Sequence, residues 1–359
     1  MYEYLRVKTT HLSDIYVLSM DTMKKAAIIR GDGTGPELVD AMMRVIGAVD
    51  PDIEFISCDA GEEWWKENGG DSLIPDETWD ALNETDACFK GPTTTPGVVG
   101  APRSVAVSIR QRFDLYANVR PIKTFEGAPA PLGDVDFVAV REATEGMYFG
   151  KEIDIRDDTF LAIRRITTSA CENISRYAFD EAKRRGWDTV VGIHKSNILR
   201  MTCGAFMDTL RATAEQEEYD CVELWEYHVD NMAQQLVKNP QLFNHKVLVS
   251  TNLFMDIISE ECAGLIGSIG LVYSANIGDD YAMFEPAHGS APKYKGMDKV
   301  NPCATILAGA WMLRYLGEAG AADEIISATA QTIAEGTTTY DLGGSAKQSQ
   351  MTDAIVGHL

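Results

Sequence analysis

Short β-like apolar runs alternate with longer helical patterns along most of the chain, and that alternation limits the fold more than any other feature. Residues 26–30 (AAIIR) read as a buried strand, GDGTGPE as the loop after it, and ELVDAMMRVIGAV as a helix. Further β-like runs occur at DFVAVRE, DTVVGIHK, DCVELWEYHV and KVLVSTN, among helical patterns such as CENISRYAFDEAKRRG and NPCATILAGAWMLRYLG. Strands interleaved with helices indicate an α/β fold. With 359 residues, 45% of them hydrophobic, the chain can bury two domains or one large α/β unit. Pro/Gly-rich stretches at 91–102 and 126–133 are candidate loops or domain crossings.

The loop GDGTGPE invites comparison with a dinucleotide fingerprint. Gly31 and Gly33 fit G-x-G, but Pro36 stands where the third glycine is needed for close helix–strand packing. The expectation is therefore a tight strand-to-helix turn and not a Rossmann fold.

The formal net charge is −22. So acidic a surface argues against nucleic acid and anionic membrane as partners. An anionic substrate would need a local cluster of Arg and Lys. The seven cysteines are odd in number and show no CxxC spacing, which reads as reduced thiols in a cytoplasmic protein. No apolar run reaches membrane-spanning length. Residues 1–22 lack the pattern of a secretory signal and are expected to form a loose extension, with Met23 as the more natural start.

Several residues are candidates for chemistry. In STNLFMDIISEE, Asp256 and Glu260 are four apart, so a helix puts both carboxylates on one face. The bland reading is a solvated face; the sharp one is a cation site. Asp230, in YHVDNMAQQLV, gives a third oxygen ligand, and such donors suit Mg²⁺ or Mn²⁺ better than Zn²⁺. Arg110, Arg120 and Arg141 fall in a short region, and their planar forks suit carboxylates. Any one of them alone reads as a surface ion pair. Tyr148, in EGMYFG, and Lys195, in IHKSNILR, are acid/base candidates. Lys195 directly follows an apolar strand, where burial can turn an amine into a proton acceptor. His288, in EPAHGSAPKY, is either a loop hydrogen-bond partner or a contact for a bound nucleotide.

Taken together, these segments resemble the β-decarboxylating dehydrogenases, which include isocitrate, homoisocitrate and 3-isopropylmalate dehydrogenases. The resemblance runs from about Met23 to the C-terminus. It rests on GDGTGPE, KGPTTTP, RSVAVSIRQRFDLYANVRP, REATEGMYFG, HKSNILR, VDNMAQQLV, TNLFMDIISEE, ANIGDD, EPAHGSAPKYKGMDKVNP and TYDLGG. It implies the isocitrate/isopropylmalate dehydrogenase-like fold. A large α/β domain comes from both chain ends, 23–113 and 268–359. A smaller inserted domain, 114–267, carries the dimer interface. It also implies a homodimer with shared active sites, in which Lys195 and Asp230 reach the other protomer's substrate.

By the same resemblance, Asp256 and the partner's Asp230 hold Mg²⁺ or Mn²⁺ with Glu260 beside them. Lys195 removes the hydroxyl proton and Tyr148 protonates the enol carbon. Arg110, Arg120 and Arg141 clamp the carboxylates, with Ser104 and Asn197 as further substrate contacts. Thr95, His288, Gly289, Lys293, Tyr294, Asn301, Tyr340 and Asp341 match cofactor positions. Isocitrate is the expected substrate, because Ser104 can reach its γ-carboxylate; homoisocitrate and 3-isopropylmalate follow. NADP is the expected cofactor, since Lys293-Tyr294 replaces the acid usual in NAD-type members, with NAD as the alternative. Gly344 and Asn239 stand where NADP-type enzymes often carry arginine. Ala106, Ala143 and Glu260 also depart from the family pattern, and they motivate a second reading as a non-catalytic regulatory subunit.

Overall fold

A computed structural model of the chain describes residues 23–98, 100–156 and 158–359. The expected extension at 1–22 lies outside the described residues. The strands are β1 (Lys24–Ile29), β2 (Ile53–Cys58), β3 (Ala87–Lys90), β4 (Ala117–Lys123), β5 (Asp136–Glu142), β6 (Gly146–Arg156), β7 (Thr159–Arg165), β8 (Thr189–His194), β9 (Glu223–His228), β10 (Val247–Ser250), β11 (Tyr273–Ile277) and β12 (Ala282–Pro286). All but β6 and β7 form a single sheet in the order β2-β1-β3-β12-β11-β4-β5-β10-β8-β9, while β6 and β7 pair as a separate antiparallel ribbon.

The α/β expectation holds, and so does the rejection of a Rossmann fold. The outer parts of the sheet are parallel, but β11 and β4 join them through antiparallel pairings to β12, to each other and to β5. The two parallel groups therefore run in opposite directions. Strands β2, β1, β3, β12 and β11 come from 23–113 and 268–359, and the other strands of the sheet from 114–267.

Local sequence explains most elements. In β5 the run Phe137-Val138-Ala139-Val140 is fully buried on both faces, as expected of a strand covered by helices on either side. The helix Cys303–Tyr315 is apolar nearly all round and lies against β12 and β11. The turn after β1 depends on Gly33, at φ +60°. A β-carbon there would lie 2.3 Å from the Ser290 carbonyl oxygen, so this close approach excludes a side chain.

Strands β2, β3, β4, β6, β7, β11 and β12 are not among the β-like runs read from the sequence. In β11 (YSANI), Ser274 and Asn276 are buried polar residues, which break the apolar signature of an interior strand. The ribbon of β6 and β7 leaves Ile153, Ile155, Phe160 and Leu161 exposed.

Candidate active site

The helix Asn252–Leu265 begins directly after β10 and presents Met255, Ile258 and Cys262 to the core. Its other face carries Asp256 and Glu260, one turn apart as the spacing required. Their mutual repulsion is offset by a shared cation: Arg120 Nη1 donates to Glu260 Oε1 at 3.3 Å, and Arg120 Nη2 lies 3.8 Å from Asp256 Oδ1.

Arg120 and Arg141 stand on the antiparallel strands β4 and β5, and Arg110 reaches them from the helix Val105–Arg112. All three side chains are buried. A buried guanidinium needs fixed partners, and each has them. Arg110 donates from Nε to Asn276 at 2.7 Å and from Nη2 to Glu285 at 2.8 Å. Arg120 donates from Nε to Asn118 and from Nη1 to Ser259, both at 2.9 Å. Arg141 donates from Nε to Asn252 at 2.8 Å and from Nη1 to Asp256. Burial, together with the positive charge of Arg110 and Arg120, pushes the Arg141 pKa down to about 10. Three buried cations thus lie in one cluster, and an anion carrying several carboxylates would relieve their repulsion.

Tyr148, at the start of the ribbon, donates its hydroxyl to Asp256 and lies under the Arg141 guanidinium, 4.7 Å from its ring centre. Burial raises the phenol above its ordinary value, the Asp256 bond adds to the rise, and Arg141 opposes it. A proton is therefore held firmly at Tyr148 Oη.

Lys195 has a different partner. Its ammonium pairs with Asp230, which is itself two-thirds exposed, so Lys195 is a charge-paired lysine and not the buried lone amine its position after a strand suggests. No hydrogen bond or ion pair among the described residues links Lys195 or Asp230 to Asp256 or the arginines. Asn197 is exposed in the same turn. Among the described residues, no group of three or more His, Cys, Asp and Glu side chains is placed to hold a metal ion within one chain. Asp256 and Glu260 nevertheless offer hard carboxylate oxygens beside the arginine cluster, a donor set that fits a divalent cation given a third ligand from outside the chain.

The second cluster sits at the Ser290 loop. His288 Nδ1 faces the Gly289 carbonyl at 3.0 Å, while Nε2 is buried without a partner; burial lowers the imidazole pKa. An orphaned ring nitrogen of this kind fits a ligand contact. Lys293 lies 4.7 Å from the Tyr294 ring centre, and the Tyr294 and Tyr340 rings are 6.3 Å apart. Asn301 donates to Asp341 at 3.0 Å, and Asp341 also accepts from Ser268 at 2.6 Å. Thr95 is exposed, next to Thr94, whose hydroxyl meets Ser290 Oγ at 2.6 Å. Ser104 caps its helix by accepting from the Val107 N–H at 3.2 Å.

Some residues of these clusters carried no sequence signal of their own. Asn118, Asn276, Glu285 and Lys90 form a buried polar group around Arg110, with Lys90 Nζ 2.9 Å from Glu285 Oε2. Lys299 lies 4.9 and 4.4 Å from the Tyr294 and Tyr340 ring centres. Asn118, Asn276, Glu285, Lys90 and Lys299 all fall inside family-like blocks, yet only their three-dimensional contacts distinguish them from neighbouring polar residues.

Comparison with known proteins agrees with the geometry. A family model described as isocitrate/isopropylmalate dehydrogenase matches residues 25–355. The 3-isopropylmalate dehydrogenase of Methanothermobacter thermautotrophicus is 42% identical over 336 residues, covering 93% of this chain and 98% of that protein. The isocitrate/homoisocitrate dehydrogenase of Thermus thermophilus is 40% identical over 337 residues, covering 92% and 97%. A crystal structure of isocitrate dehydrogenase from Methylococcus capsulatus superposes with a TM-score of 0.88 at 43% identity, covering 94% of this chain and 99% of that one.

Proposed function

This chain belongs to the isocitrate/isopropylmalate dehydrogenase family and is an NAD(P)-dependent β-decarboxylating dehydrogenase, and within that family we propose that it converts isocitrate to 2-oxoglutarate and CO₂ with NADP. The observation that carries this reading is the cluster of three buried arginines, two of which, Arg120 and Arg141, face Asp256 beside Tyr148.

Isocitrate is favoured over 3-isopropylmalate by the helix Val105–Arg112. An isopropyl group needs an apolar lining, but Val105 and Ile109 are wholly buried in the core, which leaves only Ala106 and Val107 as part-exposed apolar residues of this helix. Ser104 accepts a backbone hydrogen bond, which leaves its own O–H free to donate to a third carboxylate. NADP is favoured because Lys293 and Lys299 flank the Tyr294 and Tyr340 rings, a doubly cationic place for a 2′-phosphate.

In this reading Arg110, Arg120 and Arg141 bind and orient the substrate carboxylates. Asp256 and Glu260, with the partner's Asp230, would hold Mg²⁺ or Mn²⁺. When bound, that cation would supply Lewis acidity at the substrate oxygen and the nicotinamide a hydride acceptor. Lys195 would take the hydroxyl proton in the second active site of a homodimer as its neutral amine, once Asp230, turned to the cation, no longer holds it as a paired ammonium. After loss of CO₂, Tyr148 returns a proton from Oη to the enol carbon. The two groups of strands, from 23–113 with 268–359 and from 114–267, would be the two domains that close on the substrate. The cysteines, all free and all buried except Cys221, support a reducing, cytoplasmic setting.

The test is formation of reduced nicotinamide by the purified protein with Mn²⁺. Isocitrate, homoisocitrate, 3-isopropylmalate and D-malate are each offered with NADP and with NAD. A clear isocitrate–NADP preference is expected. Preference for another acid would overturn the substrate assignment and leave the arginine cluster with a different occupant.

A further inference from the structure

Two of the arginines are joined by a pair of buried asparagines. Asn118 on β4 and Asn276 on β11 are register partners across the antiparallel pair, and both are fully buried. Asn276 Oδ1 accepts from Arg110 Nε at 2.7 Å and from Asn118 Nδ2 at 2.9 Å. Asn276 Nδ2 donates to Glu285 Oε1 at 2.7 Å and to the Met283 carbonyl at 3.3 Å. Asn118 Oδ1 accepts from Arg120 Nε at 2.9 Å. The hydrogen-bonding capacity of the Asn276 amide is thereby filled, and neither amide can flip without setting donor against donor.

We propose that Asn118 and Asn276 are positioning residues that fix Arg110 and Arg120 relative to each other and turn their Nη edges toward the substrate carboxylates. The inference rests on the arginine reading above. A neutral amide suits this task for an electrostatic reason. It accepts from a guanidinium Nε and sets its plane, but it does not neutralise the positive charge that must attract an anion. A carboxylate at either position would lose the Nδ2 donor that now meets Asn276 or Glu285, and would add negative charge beyond that which Glu285 already sets against Arg110. Apolar residues would leave two Nε donors buried without acceptors. The row extends one strand further, since Asn118 is also the register partner of Arg141 on β5. The asparagines thus sit beneath the clamp and touch only its hidden edge.

The experiment compares wild type, Asn118→Ala, Arg120→Lys and the double variant. The acid is whichever of the four the wild type oxidises. Readouts are the KM for the acid, the KM for the cofactor, kcat and the thermal midpoint. Asn118→Ala is expected to raise the KM for the acid about tenfold or more, the size of one lost charge-assisted hydrogen bond. The cofactor KM should stay within about twofold. In the Arg120→Lys background the effect of Asn118→Ala should shrink to about twofold, because lysine has no Nε for the amide to hold. A merely structural asparagine would instead shift both KM values or multiply independently with Arg120→Lys. Should Asn118→Ala fail to fold, Asn118→Asp carries the test. It keeps the acceptor but cancels the charge, so the acid KM must again rise about tenfold. An unchanged acid KM in the folded variant, or full independence of the two substitutions, overturns the proposal while the arginine reading stands. A wild type inactive with all four acids overturns both.

Discussion

The carbonyl oxygen of Thr338 lies 2.0 Å from the point where a β-carbon on Gly344 would sit, and the Thr338 hydroxyl oxygen only 2.4 Å from it. No side chain fits there without movement of the backbone. The glycine that departs from the NADP-type arginine pattern is therefore imposed by its own loop, and in the proposed NADP reading the charge for the 2′-phosphate comes from elsewhere. Lys293 and Lys299 are the cations beside the Tyr294 and Tyr340 rings. Lys299→Ala is expected to weaken binding of 2′-AMP about tenfold while binding of 5′-AMP changes little, as measured by calorimetry. Lys293→Asp should move the ratio of kcat/KM for NADP over NAD toward NAD. An unchanged ratio would remove Lys293 from the argument.

Lys195→Met is expected to abolish detectable turnover and leave the fold intact. The change roughly conserves volume, and the Lys195–Asp230 pair is too solvent-exposed to matter for stability. Thermal unfolding should match wild type. Wild-type-like turnover would show that Lys195 moves no proton in the reaction.

Tyr148 holds its proton through ordinary assay pH, because burial and the Asp256 hydrogen bond keep its pKa above the usual phenol value. Tyr148→Phe should lower kcat by about 10²-fold or more, the usual contribution of a positioned proton donor. A Tyr148→Phe variant that kept the wild-type kcat would contradict the assignment.

Glu285 links stability to pH. Burial alone would raise its pKa, but Lys90 and Arg110 outweigh burial and hold the carboxyl well below its ordinary 4.5. A depressed folded-state value means that the stabilisation is full above pH 4.5 and is lost progressively as pH falls toward the folded-state pKa. Glu285→Gln would leave Lys90 and Arg110 without their buried counter-charge, at a cost of about 3–5 kcal/mol near neutral pH. Denaturant titrations at several pH values should show the gap to wild type constant above pH 4.5 and narrowing below it. A gap that widened on acidification would refute the ion-pair account.

Much of the site was legible before the fold was known, and the reason is local. Asp256 and Glu260 share a helix face because four residues make about one turn, whatever lies opposite. The tight turn at Gly33 and the strand run of β5 follow likewise from backbone freedom and burial over a few neighbours. The ordered family-like blocks marked the arginines, Tyr148, Lys195 and the Lys293 loop as one machinery.

Other features depended on encounters that no local pattern encodes. Arg110 and Asn276 are 166 residues apart, and their bond exists only because β11 returns beside β4. Asn276 looks like an interruption in a strand until its amide is seen to be filled by Arg110, Asn118, Glu285 and the Met283 carbonyl. The pairing of Lys195 with Asp230 and the crowding of Gly344 by Thr338 were likewise invisible in the chain. Sequence alone determined which residues could share a turn or a strand face, because covalent geometry limits such neighbours to a few positions. Only the tertiary structure decided which polar groups meet inside the sheet, because a buried hydrogen bond needs both partners brought out of water at once.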